Sequence, residues 1–278
     1  MRKLYGVMGD PIRHSMSPDI HNDAFRRMDI NADYHLFHVL PDQLENAVKG
    51  VRALNISGFN VTVPHKTKIM PFLDEIDELA GAIGAVNTVV NREGRLVGYN
   101  TDGPGFVRGI KERLGTPLAN KKTLIIGAGG AARGIYFSLV KEGITQIDIC
   151  NRTLQNAKSL IEQCPYETAS QAFGFEEAAE MISQYDLIVQ TTSAGMSPNV
   201  SEVPFEISDR LQASALVSDI IYNPLETGFL RQAKEKGAMT HNGIDMFVYQ
   251  AALAFEIWTG VTPDSTKMRQ IVVNKLGG

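Results

Sequence analysis

Two side chains that close strand-like segments, Lys66 and Asp102, are the residues of this chain best suited to moving a proton. Lys66 ends the segment 60–66 (NVTVPHK), and Asp102 ends the segment 98–102 (GYNTD). Pro64 suits the first turn of a helix, which would place Lys66 near the carboxyl end of a strand, where open α/β sheets bind ligands. An ammonium and a carboxylate around one hydroxyl form a proton-transfer arrangement. The ordinary alternatives are a solvated lysine and an aspartate that only caps a turn or helix.

Small polar residues that could bind an anion or hydroxyl groups accompany this pair. Ser15 and Ser17 are two positions apart, so in an extended segment their hydroxyls face the same way. Ser17 before Pro18 predicts the N-cap and first residue of a helix, which accounts for Ser17 but not for Ser15. We therefore expect a small anionic group at this helix start. Thr62 shares a strand face with the asparagine two residues before it, and Asn87 closes another strand-like run.

A glycine-rich turn lies between a strand-like run, Thr123–Ile126, and a helical pattern, with the sequence GAGGAA at 127–132. Gly127 allows a tight turn, Gly129 lets the backbone approach a pyrophosphate, and Ala132 permits close helix–strand packing. The helix N-terminus offers free N–H groups to the phosphates. This pattern predicts a dinucleotide site, the alternative being a merely structural turn. Beside a nicotinamide, the lysine–aspartate pair would suit alcohol oxidation.

The end of the next strand-like run carries Asn151, Arg152 and Thr153. An NAD site usually has an acidic residue at this strand tip to hold the ribose 2′-hydroxyl, but Asp148 lies earlier, within the apolar run. A guanidinium with a hydroxyl suits a 2′-phosphate. The pattern favours NADP over NAD, unless Arg152 is only a solvated surface cation.

Composition limits the class of protein. The chain has 278 residues, 44% of them hydrophobic, with 27 basic and 31 acidic side chains and a net charge of -4. This length predicts about two domains, and the charge gives no support for a nucleic-acid or membrane-surface partner. We expect no membrane span, no metal site and a cytoplasmic location, since Cys150 and Cys164 form no pair motif and the N-terminus lacks a signal-peptide core.

Strand-like and helix-like segments alternate along the chain, which predicts an α/β fold built around parallel sheets. We expect domain boundaries near residues 101–120 and 237–243. The apolar helix Ile244–Thr259 needs a partner surface and could return to the first domain. The other predicted helices are 18–28, 43–54, 74–80, 105–114, 131–142 and 154–163.

Taken together, these motifs resemble the shikimate dehydrogenase family. The matching segments run in order across nearly the whole chain: 15–17 (SxS), 60–66, 84–88 (GAVNT), 100–103 (NTDG), 127–133 (GAGGAAR), 151–153 (NRT) and Gln250. The resemblance implies a substrate-binding domain of residues 1–103 and 241–278, with the C-terminal helices returning to it. It also implies a Rossmann-type NADP-binding domain of residues 104–240. The implied reaction is the reversible, NADPH-dependent reduction of 3-dehydroshikimate to shikimate.

The resemblance also assigns roles to residues. Lys66 and Asp102 would be the catalytic pair, and Ser15 and Ser17 would hold the substrate carboxylate. The ring hydroxyls would be held by Thr62, Asn87 and Gln250, with Tyr222 near the carboxylate and Gly243 near the nicotinamide. Cofactor contacts are expected from Gly127, Ala128, Gly129, Gly130, Ala131, Asn151, Arg152, Thr153, Asn156, Ile220 and Gly243.

One position departs from the family pattern. Relatives with a firm NADP clamp often have Arg or Lys where this chain has Asn156, so the preference for NADP rests on Arg152 and Thr153 and should be moderate. Two alternatives remain open: a related quinate or shikimate dehydrogenase that uses NAD or both cofactors, and a non-catalytic NADP-sensing module. The expected partners are small molecules, and the expected state is a monomer or homodimer.

Overall fold

A computed structural model describes residues 2–277 and divides the chain into two units. One unit consists of Met1–Gly105 and Val248–Gly278, and the other of Phe106–Phe247. Both changes of unit fall inside helices. The predicted functional domains, 1–103 with 241–278 and 104–240, stay a prediction.

The described residues contain twelve strands and ten α-helices. The strands are β1 Lys3–Gly9, β2 Ala32–His38, β3 Gly58–Val61, β4 Glu75–Ile76, β5 Thr88–Arg92, β6 Arg95–Tyr99, β7 Thr123–Ile126, β8 Ile147–Cys150, β9 Ala172–Phe173, β10 Leu187–Gln190, β11 Leu216–Asp219 and β12 Met239–His241. The helices are α1 Ser17–Arg27, α2 Leu44–Ala53, α3 Glu78–Ile83, α4 Asp102–Leu114, α5 Gly130–Lys141, α6 Leu154–Glu162, α7 Phe175–Glu180, α8 Gly228–Glu235, α9 Ile244–Thr259 and α10 Ser265–Lys275.

The sheet of the first unit is mixed, in the order β2-β1-β3-β5-β6-β4. The expectation of a parallel sheet holds for only part of this unit, because β5 is antiparallel to both β3 and β6. The two residues between β5 and β6, Glu93 and Gly94, have φ values of 55° and 92°. Two successive residues with positive φ form the tight connection typical of an antiparallel hairpin.

The predicted helix 74–80 is also wrong. Glu75 and Ile76 form β4, which pairs with β6 in parallel. The helix begins only after Asp77, whose carboxylate accepts hydrogen bonds from the backbone N–H groups of Leu79 and Ala80. An aspartate that satisfies these free donors is a strong N-cap, so it places the helix start later than periodicity alone suggests.

The sheet of the second unit is parallel throughout, in the order β9-β8-β7-β10-β11-β12. Numbered within the unit, this is the order 3-2-1-4-5-6 of dinucleotide-binding Rossmann domains. The order reverses between β7 and β10, and such a reversal opens a crevice at the carboxyl ends of the strands. The predicted α/β fold with a Rossmann-type domain is confirmed.

The C-terminal part of α9 belongs to the core of the first unit. The ring of Phe255 lies 5.0 Å from that of Phe25, and the indole N–H of Trp258 donates to the carbonyl of Val89 at 2.9 Å. A Cβ at Gly58 would lie 2.6 Å from the same indole nitrogen. Glycine is therefore required where the helix crosses the sheet. The C-terminal part of this apolar helix is therefore buried against Phe25 and the sheet, which removes its apolar side chains from water.

Candidate active site

The side chains of Lys66 and Asp102 form an ion pair in the first unit. Lys66 Nζ lies 2.6 Å from Asp102 Oδ2, and both side chains are partly buried. Residues 63–69 form turns, not the helix that Pro64 led us to expect, and the bond before Pro64 is cis. The carbonyl of Lys66 accepts the N–H of Val86 at 2.8 Å, which fixes the lysine backbone beside β5.

Asn87 holds the other oxygen of the aspartate. Its Nδ2 donates to Asp102 Oδ1 at 2.8 Å and to Thr101 Oγ1 at 3.0 Å, while its Oδ1 accepts the N–H of Thr101 at 2.8 Å. The N–H of Asp102 donates in turn to Asn100 Oδ1 at 3.1 Å. Both carboxylate oxygens are thus engaged, and the rotamer of Asp102 is fixed at the first residue of α4.

A line of buried hydrogen bonds continues from Asn87 through the sheet. Thr88 donates from its hydroxyl to Asn87 Oδ1 at 3.0 Å, and Asn60 Nδ2 donates to Thr88 Oγ1 at 3.0 Å. Tyr34 donates from its hydroxyl to Asn60 Oδ1 at 2.7 Å. Every donor points toward Asp102, so the line fixes the orientation of the Asn87 amide that donates to the carboxylate. Sequence reasoning missed Tyr34 and Thr88, and the one available signal was an asparagine at 60 inside an apolar strand.

Ser15 and Ser17 lie next to each other at the start of α1. Ser15 Oγ is 3.2 Å from Ser17 Oγ and accepts the N–H of Ser17 at 3.3 Å. The prediction that Ser17 is the N-cap is wrong: Met16 has that position and Ser17 is the first helical residue. Ser17 is buried and hydrogen bonds to the hydroxyl of Tyr34, whose pKa is nevertheless raised well above its usual value by burial.

Thr62 and Gln250 each lie against a glycine of the first unit. A Cβ at Gly9 would lie 2.4 Å from Thr62 Cγ2, and a Cβ at Gly105 would lie 2.6 Å from the backbone nitrogen of Gln250. Gly105 is one turn after Asp102 on α4, so Gln250 on α9 packs against the helix that carries the aspartate. The first unit brings Lys66, Asn87 and Asp102 into direct hydrogen-bond contact. The roles of Ser15, Ser17, Thr62 and Gln250 in the same site stay a prediction.

This arrangement can move a proton at a bound hydroxyl or carbonyl oxygen. The ammonium of Lys66 is the only one of the two charged groups that can donate, and the doubly held Asp102 balances its charge. The neighbouring hydroxyls and amides can orient a polyhydroxylated ligand. Among residues 2–277, no group of three or more His, Cys, Asp and Glu side chains could hold a metal ion.

The glycine-rich turn of the second unit has the geometry that a phosphate site requires. Gly127 has a φ of 109°, and a Cβ there would lie 2.6 Å from Thr191 Oγ1. Gly129 is the N-cap of α5, and a Cβ at Gly129 or Gly130 would enter open space in front of the helix. The N–H groups of this first helical turn have no acceptor within the helix. Together with Ala128 and Ala131, these glycines leave room for a pyrophosphate at the helix N-terminus.

The tip of β8 presents an exposed cation. Asn151 Nδ2 donates to the carbonyl of Thr153 at 2.9 Å, which shapes the turn before α6. Arg152, Thr153 and Asn156 are all exposed, and Asn156 lies in the first turn of the helix. Within the part of the chain that the structure describes, no ion pair or hydrogen bond engages the guanidinium of Arg152. It is free to bind an anionic group.

The segment that follows β11 comes into contact with the start of α9. A Cβ at Gly243 would lie 2.0 Å from the carbonyl oxygen of Ile220, and the N–H of Gly243 donates to the carbonyl oxygen of Ile221 at 3.0 Å. The ring of Tyr222 packs 5.4 Å from that of Phe247. Ile220, Tyr222 and Gly243 thus lie at the carboxyl edge of the sheet whose central strand leads into the glycine turn.

Asp219, the last residue of β11, holds the segment 220–222 in place through hydrogen bonds. It is fully buried, and its carboxylate accepts hydrogen bonds from the N–H of Ile221 at 2.9 Å and from the hydroxyl of Thr227 at 2.8 Å. Burial raises the pKa of Asp219 to about 6, and these hydrogen bonds offset only part of the rise. Sequence reasoning missed this residue, although an aspartate at the end of an apolar strand is a visible signal.

No helix among the described residues combines the length and apolar character needed to cross a bilayer. The two cysteines, Cys150 and Cys164, are free thiols.

Comparisons with known proteins agree with this geometry. Family models match in three stretches: "Shikimate dehydrogenase substrate binding domain" over residues 7–89, "Shikimate / quinate 5-dehydrogenase" over residues 110–221, and "Shikimate 5'-dehydrogenase C-terminal domain" over residues 243–273. A Geobacillus sp. protein named shikimate dehydrogenase (NADP(+)) is 54% identical over 278 residues, which is 100% of both chains.

Solved structures show the same relationship. Shikimate 5-dehydrogenase from Listeria monocytogenes, in complex with shikimate and NAD, matches with a TM-score of 0.93 and 37% identity, covering 98% of this chain and 96% of that one. The enzyme from Thermus thermophilus, in complex with NADP(H) and shikimate, matches with a TM-score of 0.86 and 34% identity, covering 98% and 99%. As its sequence motifs predict, this chain belongs to the shikimate dehydrogenase family.

Proposed function

We propose that this protein catalyses the reversible, NADP(H)-dependent interconversion of 3-dehydroshikimate and shikimate. The observation that carries the proposal is the Lys66–Asp102 ion pair at 2.6 Å, held by Asn87, whose amide also contacts the hydroxyls of Thr101 and Thr88. A Rossmann-type unit with an open glycine turn accompanies it. The nicotinamide of NADPH supplies the hydride when it is bound.

Lys66 handles the proton in this mechanism. In the direction of reduction, its ammonium donates a proton to the carbonyl oxygen of the substrate as hydride reaches the carbonyl carbon, so a hydroxyl forms. In oxidation the neutral amine accepts the hydroxyl proton. Asp102 keeps the ammonium in place and balances its charge, because Asn87 already orients the carboxylate.

The polar side chains around the pair are assigned to substrate binding. Ser15 and Ser17 hold the substrate carboxylate, while Thr62, Asn87 and Gln250 hold ring hydroxyls. The adjacency of the two serine hydroxyls, 3.2 Å apart, supports the first assignment, since one carboxylate can accept from both. Tyr222 is assigned to the carboxylate as well, on the resemblance alone.

The cofactor contacts are assigned to the carboxyl edge of the second sheet. The pyrophosphate binds at Gly127–Ala131 and the nicotinamide near Ile220 and Gly243. The 2′-phosphate binds Arg152, with Asn151, Thr153 and Asn156 beside it. The unengaged guanidinium of Arg152 supports a preference for NADP over NAD. The partners in this proposal are small molecules, the protein acts as a monomer or homodimer, and its free thiols suit a reducing cytoplasm.

The test is the rate of NADPH formation from shikimate and NADP+, compared with quinate and with NAD. We expect shikimate with NADP+ to give the highest kcat/KM. Lys66→Ala and Asp102→Asn should each lower kcat by about 100-fold or more. The exposed Lys68, two residues from Lys66, provides a matched control, and Lys68→Ala should keep full activity. Unchanged turnover in Lys66→Ala would refute the mechanism, and cofactor binding without any turnover would favour a sensing module.

A further inference from the structure

A serine, a histidine and an aspartate form a buried line of hydrogen bonds in the second unit. Ser218 Oγ lies 2.9 Å from His241 Nδ1, and His241 Nε2 lies 2.9 Å from Asp245 Oδ2. A carboxylate can only accept, so Nε2 carries a proton, and in the neutral ring Nδ1 accepts the serine hydroxyl. All three residues are buried.

The line resembles the triad of a serine hydrolase, but it cannot act as one. Ser218 lies within β11, a strand with neighbours on both sides, and has no exposed surface. A nucleophile must reach a substrate carbonyl, whereas this hydroxyl is buried and hydrogen bonds to His241. The role of the line must therefore be to position other groups.

The three residues surround the contact between Gly243 and Ile220. Ser218 precedes Ile220 by two residues, His241 precedes Gly243 by two, and Asp245 follows Gly243 by two. Ser218 and His241 are also direct partners in the pairing of β11 with β12. The imidazole of His241, which itself precedes Gly243, thus links Ser218 near the end of β11 to Asp245, which follows Gly243.

The backbones at Gly243 and Ile220 are in direct contact, with no space for a side chain between them. A Cβ at Gly243 would lie 2.0 Å from the Ile220 carbonyl oxygen. Helix α4 closes over the other side of the line: a Cβ at Gly109 would lie 2.9 Å from Asp245 Cβ, and the ring of Phe106 meets that of His241 edge-on at 6.5 Å. In such a packed environment the imidazole has one orientation.

We propose that His241 is a positioning residue for the nicotinamide end of the dinucleotide, acting through Ser218 and Asp245 on the backbone at Ile220 and Gly243. The proposal rests on the assignment of this edge of the sheet to the nicotinamide. The adenosine end binds at the glycine turn and at Arg152, on the opposite side of β7, and should not depend on His241.

The test compares two ligands in His241→Leu, Ser218→Ala and the wild type. NADP+ engages both ends of the site, whereas adenosine 2′,5′-bisphosphate lacks the nicotinamide. We expect His241→Leu to raise the Kd for NADP+ and to lower kcat. The two effects together should lower kcat/KM by about 10- to 100-fold, because small displacements of a reacting group have such effects. The Kd of the bisphosphate, measured by calorimetry, should not change. Ser218→Ala should show a smaller loss of the same kind, and His241→Gln, which keeps a donor toward Asp245, should recover part of it.

Two controls separate positioning from a loss of stability. Ser138 is a buried serine in α5 and Ile182 a buried core residue of the same unit. Ile182→Ala should lower Tm, whereas Ser138→Ala, which removes a buried hydroxyl with no hydrogen-bond partner among the described residues, should leave Tm nearly unchanged. Neither substitution should change the ratio of the two Kd values. The proposal is wrong if His241→Leu weakens the binding of both ligands equally. It is also wrong if His241→Leu changes neither Kd and leaves kcat intact. A wild-type protein that binds no NADP+ would instead refute the proposed function.

Discussion

Asn87 and Asp102 meet through a single hydrogen bond of 2.8 Å that decides how the catalytic carboxylate is oriented. The amide donates to one carboxylate oxygen and leaves the other to Lys66. The amide itself cannot rotate, because Thr101 and Thr88 both donate to its oxygen. The orientation of the ion pair therefore depends on a buried network that reaches as far as Tyr34.

Replacing the amide of Asn87 by a carboxylate should disturb this pair. In Asn87→Asp, a second carboxylate would face Asp102 at hydrogen-bond distance, where it would repel Asp102 and compete with it for Lys66. We expect kcat to fall at least about 10-fold, because the ammonium of Lys66 would no longer have one fixed partner. Asn91→Asp, on the same strand, is the control and should keep the wild-type kcat. An unchanged kcat in Asn87→Asp would contradict the role given to this hydrogen bond.

Substitution of two glycines in the phosphate turn should have different effects. Gly129 has an extended backbone (φ -90°) with open space around it, so Gly129→Ala should fold normally but bind NADP+ more weakly. Gly127→Ala should lower Tm, because a φ of 109° and the contact with Thr191 both oppose a side chain. Thermal melts and NADP+ titrations separate the two effects. Gly50→Ala, in the open face of α2, is the control and should weaken neither property.

Removal of the cation at the tip of β8 should affect NADP+ and not NAD. A charge-assisted hydrogen bond contributes about 1.5–3 kcal/mol, so Arg152→Ala should raise the KM for NADP+ roughly 10- to 100-fold. The KM for NAD should stay nearly constant, because NAD lacks the 2′-phosphate. Lys158→Ala, which removes an exposed cation on the helix that follows Arg152, should leave both values unchanged. Equal effects on both cofactors would mean that Arg152 does not bind this phosphate.

A new cation at position 156 should strengthen the preference for NADP. Asn156 is exposed in the first turn of α6, three residues after Thr153. We expect Asn156→Lys to lower the KM for NADP+ a few-fold, with a steeper dependence on salt, since an exposed charge is screened. The exposed neighbour Gln155 allows the control Gln155→Lys. If both variants behave alike, the effect is a general one of net charge.

His21 should make the protein sensitive to acid. The imidazole is fully buried and stacks 4.5 Å from the ring of Tyr34, and burial lowers the pKa of His21 to about 3. The unfolded chain takes up this proton near pH 6.5, so the native state loses stability as pH falls from about 6.5 to about 3, by an amount on the order of 5 kcal/mol.

His21→Phe keeps the stacking and removes the titration. Unfolding free energies measured across this pH window should therefore fall less steeply for the variant than for the wild type. His35→Phe changes an exposed histidine and should leave the wild-type slope unaltered. Identical slopes for His21→Phe and the wild type would show that His21 takes up its proton as readily in the native state as in the unfolded chain.

Much of this protein follows from local sequence. The glycine turn, the lysine in NVTVPHK and the aspartate in NTDG are recognisable because backbone conformation and chemistry there need particular residue types at short spacing. The alternation of strands and helices likewise follows from periodicity, and it predicts the Rossmann-type unit. Family membership rests on these same segments.

Tertiary structure alone decided the rest. Tyr34, Asn60 and Thr88 are far apart in the chain and become one hydrogen-bonded line only when β2, β1, β3 and β5 lie side by side. The antiparallel direction of β5 depends on pairing between strands, which a period of two residues does not encode. The Ser218–His241–Asp245 line combines two paired strands with the start of a helix. Such contacts depend on which surfaces pack together, and the sequence expresses that only through the whole fold.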